Sequence, residues 1–171
     1  MVEHPAFNRL VLSSNLRRPI FLTASSLTLG QDERALVFRV VEDRTTLNGM
    51  VSVAVVDDDP GLRTLLEEEL QDLGVDPVLC DNGAELMALL QQRSVALILL
   101  DLMMPIMDGF ACLDALREQR SSIPVVVVTA HGDSSYRQRV LDAGASDYVL
   151  KPQLFERLPR LLTRYVTGEQ P

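Results

Sequence analysis

The chain has 171 residues, of which 47% are hydrophobic, enough for one ordinary packed domain with an appendage and too apolar for wholesale disorder. Its formal charge of −8 argues against a nucleic-acid-binding surface, which needs clustered Lys and Arg. No apolar run approaches the ~20 residues of a membrane span, no secretory leader pattern opens the chain, and two cysteines, Cys80 and Cys112, make no disulfide framework, so a cytosolic protein with reduced thiols is expected.

The charge is uneven along the chain. Residues 1–50 hold 6 basic and 5 acidic side chains, whereas the remaining 121 hold 10 and 19, so the acidity belongs to the second part. In residues 1–49, "RRPIFLTASSLTL" and "ALVFRVVED" read as two strands around "GQDER", a hairpin followed by the linker "DRTTLNGM". A lone hairpin is marginal in water and must lean on another surface. This stretch resembles the last two strands of a PAS sensor domain, ending near Asp43 and Thr45. Met50 stands just before the next strand, which leaves a translation start there as an alternative.

From residue 50 to 168, short apolar runs alternate with helical patterns. The runs are VSVAVV (51–56), VDPVLC (75–80), VALILL (95–100), PVVVVT (124–129) and SDYVL (146–150). Uninterrupted aliphatic and β-branched runs suit strands covered on both faces, as in parallel sheets. The first helix follows from "PGLRTLLEEELQDLG", where Leu62, Leu65, Leu66, Leu70 and Leu73 form one stripe. Asp59 is its expected N-cap, Pro60 its first residue and Gly74 its left-handed terminator. Asp81 or Asn82 caps a second helix running to Arg93, a third spans Phe110 to Gln119, and a fourth spans Asp133 to Ala143. A fifth covers Phe155 to Val166 and aligns Leu158, Leu161, Leu162 and Tyr165, with Pro159 weakening its first turn. Residues 169–171 form a tail. Five βα units imply a three-layer α/β sandwich with right-handed crossovers, whose ligands gather beyond the carboxyl ends of the strands.

At that rim the runs deliver Asp57 and Asp58, then Asp101, then Thr129, then Lys151. Each alone has a plain explanation: an Asp after a strand often caps a helix or shapes a turn, and Pro105, Asp108 and Gly109 serve as loop punctuation. Lys151 is more telling, because it is the only lysine among 16 basic residues. A compact ammonium acts as a point charge where a planar guanidinium fits badly. Clustered carboxylates offset their repulsion with a hard divalent cation, and Mg²⁺ suits an open, oxygen-lined site beside a phosphate. With a lysine and a hydroxyl opposite, such a site stabilises a transferring phosphoryl group, and Asp101 is the best candidate nucleophile.

"VVDDDP", "LLDLMMPIMDG", "VVVVTA" and "AGASDYVLKP", in order and with fitting separation, resemble the receiver domain of two-component response regulators, the CheY-like fold. The resemblance implies a doubly wound (βα)5 parallel sheet of strand order 2-1-3-4-5 and a chain that catalyses only its own phosphorylation. Asp101 would accept the phosphoryl group; Asp58 would bind Mg²⁺ directly, Asp57 mainly through water, and the Met103 carbonyl would complete the ligands. Lys151 would pair with the phosphoryl oxygens, Thr129 would hydrogen-bond them, Tyr148 would be the switch aromatic, and the Lys151–Pro152 bond would be cis. The implied donor is a sensor histidine kinase or a histidine phosphotransfer protein, and the output is a downstream protein target. Met103 and His131 occupy positions that tune hydrolysis in this family. Met103 cannot align an attacking water through a strong hydrogen bond, so a long-lived phosphoryl group is expected. Neither His131 nor His4 is assigned a role as donor or ligand.

Two other readings stand beside this one. A haloacid dehalogenase-type phosphohydrolase would use Asp57-x-Asp59, but Gly61 stands where that pattern has Thr or Val, and Asp101 is left unexplained. A phosphorylation-independent interaction module would share the fold and not the chemistry.

Overall fold

The computed structural model of the chain describes residues 46–47, 50–130 and 132–167. The expected N-terminal hairpin, the tail and His131 lie outside the described residues. A short strand β1 (Thr46–Leu47) pairs antiparallel with the start of β2 (Met50–Val56). Four further strands follow: β3 (Asp76–Cys80), β4 (Leu97–Asp101), β5 (Val125–Thr129) and β6 (Asp147–Leu150). Strands β2 to β6 form a parallel sheet in the order β3-β2-β4-β5-β6. Counted from β2 this is the expected 2-1-3-4-5. Pro77 fits because β3 is an edge strand, where a missing amide hydrogen breaks no ladder.

The alternation of side chains along the buried strands divides the core between two faces. Val53, Val55, Leu97 and Leu99 pack with α1 (Pro60–Asp72) and α5 (Leu154–Leu162). Ala54, Val56, Ile98 and Leu100 pack with α2 (Gly83–Gln92), α3 (Gly109–Glu118) and α4 (Ser134–Asp142). Three layers result.

Helix starts follow the short polar residues. Asp59 accepts from the Gly61 and Leu62 amides, Asn82 from Ala84 and Glu85, Asp108 from Ala111 and Asp133 from Ser135. After α1 the backbone turns through Gly74 at φ 76°, as expected, and the Val75 amide returns to the Leu70 carbonyl.

Three expectations are corrected. Leu65 does not share the buried stripe of α1: it lies about 100° around the axis from Leu66 and is 54% exposed, while Leu66, Leu70 and Leu73 are buried. Pro159 does not sit in the first turn of α5. That helix begins at Leu154, so Pro159 lies inside it, and the chain continues into a π-helical turn at Thr163–Thr167. Burial of Leu154, Leu158, Leu161 and Leu162 holds the helix together across the amide that proline lacks. The Lys151–Pro152 bond is trans, for there is no cis peptide among the described residues. Pro152 lies within a 3-10 turn, Lys151–Gln153, that runs directly into α5, a position where its missing N–H deprives no helical carbonyl. No helix among the described residues is long and apolar enough to cross a membrane.

Candidate functional site

The strand ends bring the chemistry together. Asp57 follows the last residue of β2, Asp101 ends β4, Thr129 ends β5, and Lys151 follows β6 without a gap. Because the strands run parallel in register, their carboxyl ends open on one rim.

Asp57 and Asp101 are only 3% and 4% exposed, whereas Asp58 faces solvent. Each of the three offers a carboxylate oxygen within 4.8 Å of the other two. Lys151 Nζ lies 2.8 Å from Asp57 Oδ2 and 3.1 Å from Asp101 Oδ2. The other oxygens are held by backbone: Asp57 Oδ1 accepts from the Asp59 amide at 2.9 Å, and Asp101 Oδ1 from the Leu102 amide at 2.7 Å. Each carboxylate therefore points one fixed oxygen at the ammonium.

Charge and burial oppose one another here. Burial pushes the Asp101 carboxyl above its ordinary range, against the hydrogen bond and charge of Lys151, while the Asp57 charge adds to the rise. For Lys151, burial works to lower the ammonium pKa, but hydrogen bonds and charge from Asp57 and Asp101 outweigh it and raise the pKa. Ionised together, three carboxylates and one ammonium leave two negative charges at one rim. A hard divalent cation matches both that charge and an all-oxygen ligand set, so Asp57, Asp58 and Asp101 fit Mg²⁺. Met103 lies two residues beyond Asp101, in the loop to α3, with its side chain 60% exposed.

Thr129 is fully buried, and Tyr148 is buried within the core cluster of the α2–α4 face. Val127 pairs with Tyr148 in the ladder, so Thr129, two residues beyond Val127, shares its face of the sheet. Burial, with the Asp133 charge, raises the Tyr148 pKa, so its phenol stays neutral. Asp59 has a structural use as the cap of α1, which is the plain explanation for an aspartate after a strand.

Two contributors escaped the sequence. Gly109 is more than punctuation: a Cβ there would lie 2.4 Å from the Asp101 carbonyl oxygen and 2.8 Å from Leu102 Cα. Its amide donates to the Leu102 carbonyl at 3.0 Å, so α3 packs directly on the strand end bearing Asp101. Arg63 reaches back from α1 to the Asp57 carbonyl and to Asp81, which follows β3. Its position one turn into a helix after an acidic turn is the only signal the sequence carries for it.

Residues 53–163 match the family model for the response regulator receiver domain. Over 120 residues the chain is 37% identical to the signal transduction histidine-protein kinase BarA of Escherichia coli (strain K12), covering 69% of this chain and 13% of that protein. Over 116 residues it is 38% identical to the probable transcriptional regulator ycf27 of Cyanophora paradoxa, covering 66% of this chain and 48% of that one. The match thus takes in less than half of either relative's length. Among solved structures, the receiver domain of the Francisella response regulator 1452 superposes with a TM-score of 0.66 at 27% identity, covering 70% of this chain and 99% of that chain. Chemotaxis protein CheY4 of Vibrio cholerae does so with a TM-score of 0.63 at 30% identity, covering 68% and 98%.

Proposed function

The chain belongs to the response regulator receiver family, and on that premise we propose that it is a phosphorylation-dependent switch whose acceptor is Asp101. The observation that carries this reading is the meeting of Asp57, Asp58 and Asp101 within 4.8 Å, with Lys151 Nζ bonded to two of them. The donor is the phosphohistidine of a sensor kinase or a histidine phosphotransfer protein, and the chain works in the cytosol through a downstream protein target. Residues 50–168 form the receiver, behind an extension at 1–49 and ahead of a tail at 169–171.

The transfer needs an ionised Asp101. Lys151 holds one oxygen by charge and the Leu102 amide fixes the other, which orients the carboxylate for in-line attack. An Asp101 oxygen bonds to phosphorus as the phosphorus–nitrogen bond breaks, and the electron pair stays on the imidazole. Asp57, Asp58, Asp101 and the Met103 carbonyl would hold Mg²⁺, which when bound would supply positive charge to the phosphoryl oxygens. Lys151 supplies the remainder by releasing a carboxylate, and the Thr129 hydroxyl donates a hydrogen bond to the new group. Tyr148, on the face of the sheet that Thr129 shares, repacks as Thr129 moves. The face formed by α4, β6 and α5 then changes its affinity for its partner, a population shift between two states.

Incubation with MgCl₂ and acetyl phosphate, followed by intact mass, tests the proposal. Wild type should gain the mass of one phosphoryl group and Asp101→Asn none. A gain in both proteins, or in neither, refutes it. Partner binding that is unchanged in Asp101→Asn instead favours a phosphorylation-independent module.

A further inference from the structure

Arg63 and Asp81 have no part in the transfer, yet both brace the turn that carries Asp57 and Asp58. One Arg63 Nη donates to the Asp57 carbonyl, and the other lies 2.7 Å from Asp81 Oδ1. The backbone that carries Asp81 is itself held, since its amide donates to Glu85 Oε2 at 2.8 Å in the first turn of α2. Just inside this bridge the Asp57 amide donates to the Cys80 carbonyl at 3.2 Å, so β2 and β3 stay joined up to its base.

A guanidinium beside a cation site has two opposed effects. By holding the Asp57 carbonyl it fixes the peptide that leads into Asp58, and so helps set where that carboxylate points. By its charge it repels a cation, and Asp58 is an exposed carboxylate one residue from the carbonyl it grips. Free to turn, it would compete with Mg²⁺ for Asp58. Asp81 resolves the conflict. Its side chain is 61% exposed, so the ion pair adds little to stability; its effect is on where the charge rests.

Resting on the reading of Asp57, Asp58 and Asp101 as a Mg²⁺ site, we propose that Arg63 is a positioning residue for that site and that Asp81 is its counterion, keeping the guanidinium on the Asp57 carbonyl and away from the Asp58 carboxylate.

Calorimetric titration of the full chain with MgCl₂ tests this without any turnover. Asp81→Asn should weaken Mg²⁺ binding about tenfold, a typical coupling between neighbouring groups, and less at high potassium chloride, where exposed charges are screened. Arg63→Met alone should weaken binding, through loss of its hold on the Asp57 carbonyl, and the double variant should bind like Arg63→Met and better than Asp81→Asn, because no guanidinium remains to occupy Asp58. A purely structural role for Asp81 gives no such restoration. Thermal melts without Mg²⁺ should place Asp81→Asn within a few degrees of wild type. Wild-type affinity in Asp81→Asn, or a double variant no better than that single one, overturns the inference and leaves the site standing. Absence of Mg²⁺ binding in wild type, or binding indifferent to Asp58→Asn, overturns both.

Discussion

Lys151→Met removes the ammonium that Asp57 and Asp101 share and leaves two buried carboxylates facing each other. The contacts of 2.8 and 3.1 Å correspond to gross attractions of about 6 and about 5 kcal/mol at an effective dielectric of ~20. Desolvation cancels much of that, and loss of one partner from a buried pair costs about 3–5 kcal/mol. Here the loss is limited, because Asp101 can take up a proton. Burial already raises its pKa, and without the ammonium the pKa climbs further. A carboxyl whose native pKa exceeds its unfolded value costs stability as pH rises from the unfolded value to the native one, at about 1.4 kcal/mol per unit, and no more beyond it. The expected loss is therefore about 3 kcal/mol near pH 8 and less near pH 5. In the wild type Lys151 follows the same sign in a different window: its native pKa is raised above the ordinary 10.5, so its ion-pair stability is full below that value and is lost in alkali, as the pH rises through the raised value. Urea unfolding followed by circular dichroism, without Mg²⁺ and at both pH values, measures the difference. An equal loss at the two, or none at either, refutes the reasoning.

Met103→Asn should speed loss of the phosphoryl group about fivefold, the worth of one hydrogen bond of about 1 kcal/mol to an attacking water, as read by intact mass over time; an equal rate removes Met103 from the account. Gly109→Ala should destabilise the fold by about 1–3 kcal/mol, since its Cβ meets backbone rather than a side chain that can swing away; chemical unfolding checks it. Burial pushes the Cys80 and Cys112 thiols to about 11, so iodoacetamide near pH 8 should label neither in the native protein and both in urea. Their native pKa lies above the unfolded 9.0, so their contribution to stability is full below that value and lost between pH 9.0 and about 11, by up to about 3 kcal/mol per thiol.

Much of the architecture was legible because chemistry and geometry coincide along the chain. LILLD in β4 is aliphatic until the residue that emerges at the rim, so strand, burial and candidate acceptor come from one run of five. Asp59, Asn82 and Asp133 announced their helices through side chains that bond amides two or three residues on. Other features depend on what lies across the fold. Helical spacing admits Leu65 to a stripe but does not say how wide a stripe the sheet can cover. A proline reads as a break until flanking leucines are buried strongly enough to hold the helix through it, as around Pro159. Arg63 meets Asp81 from another βα unit, and no local pattern encodes that meeting.

The doubly bonded ammonium at the rim bears on how readily the acquired group can be given up again. With Asp101 as the proposed acceptor, Lys151 would have to abandon a partner it already holds in the resting state in order to greet an incoming anion. What it gains there is reduced by what it forfeits. On the proposed reading the group rests in a shallow well, readily returned to a histidine, while its slow escape to water is set by the rate of attack beside Met103 and not by the depth of the well.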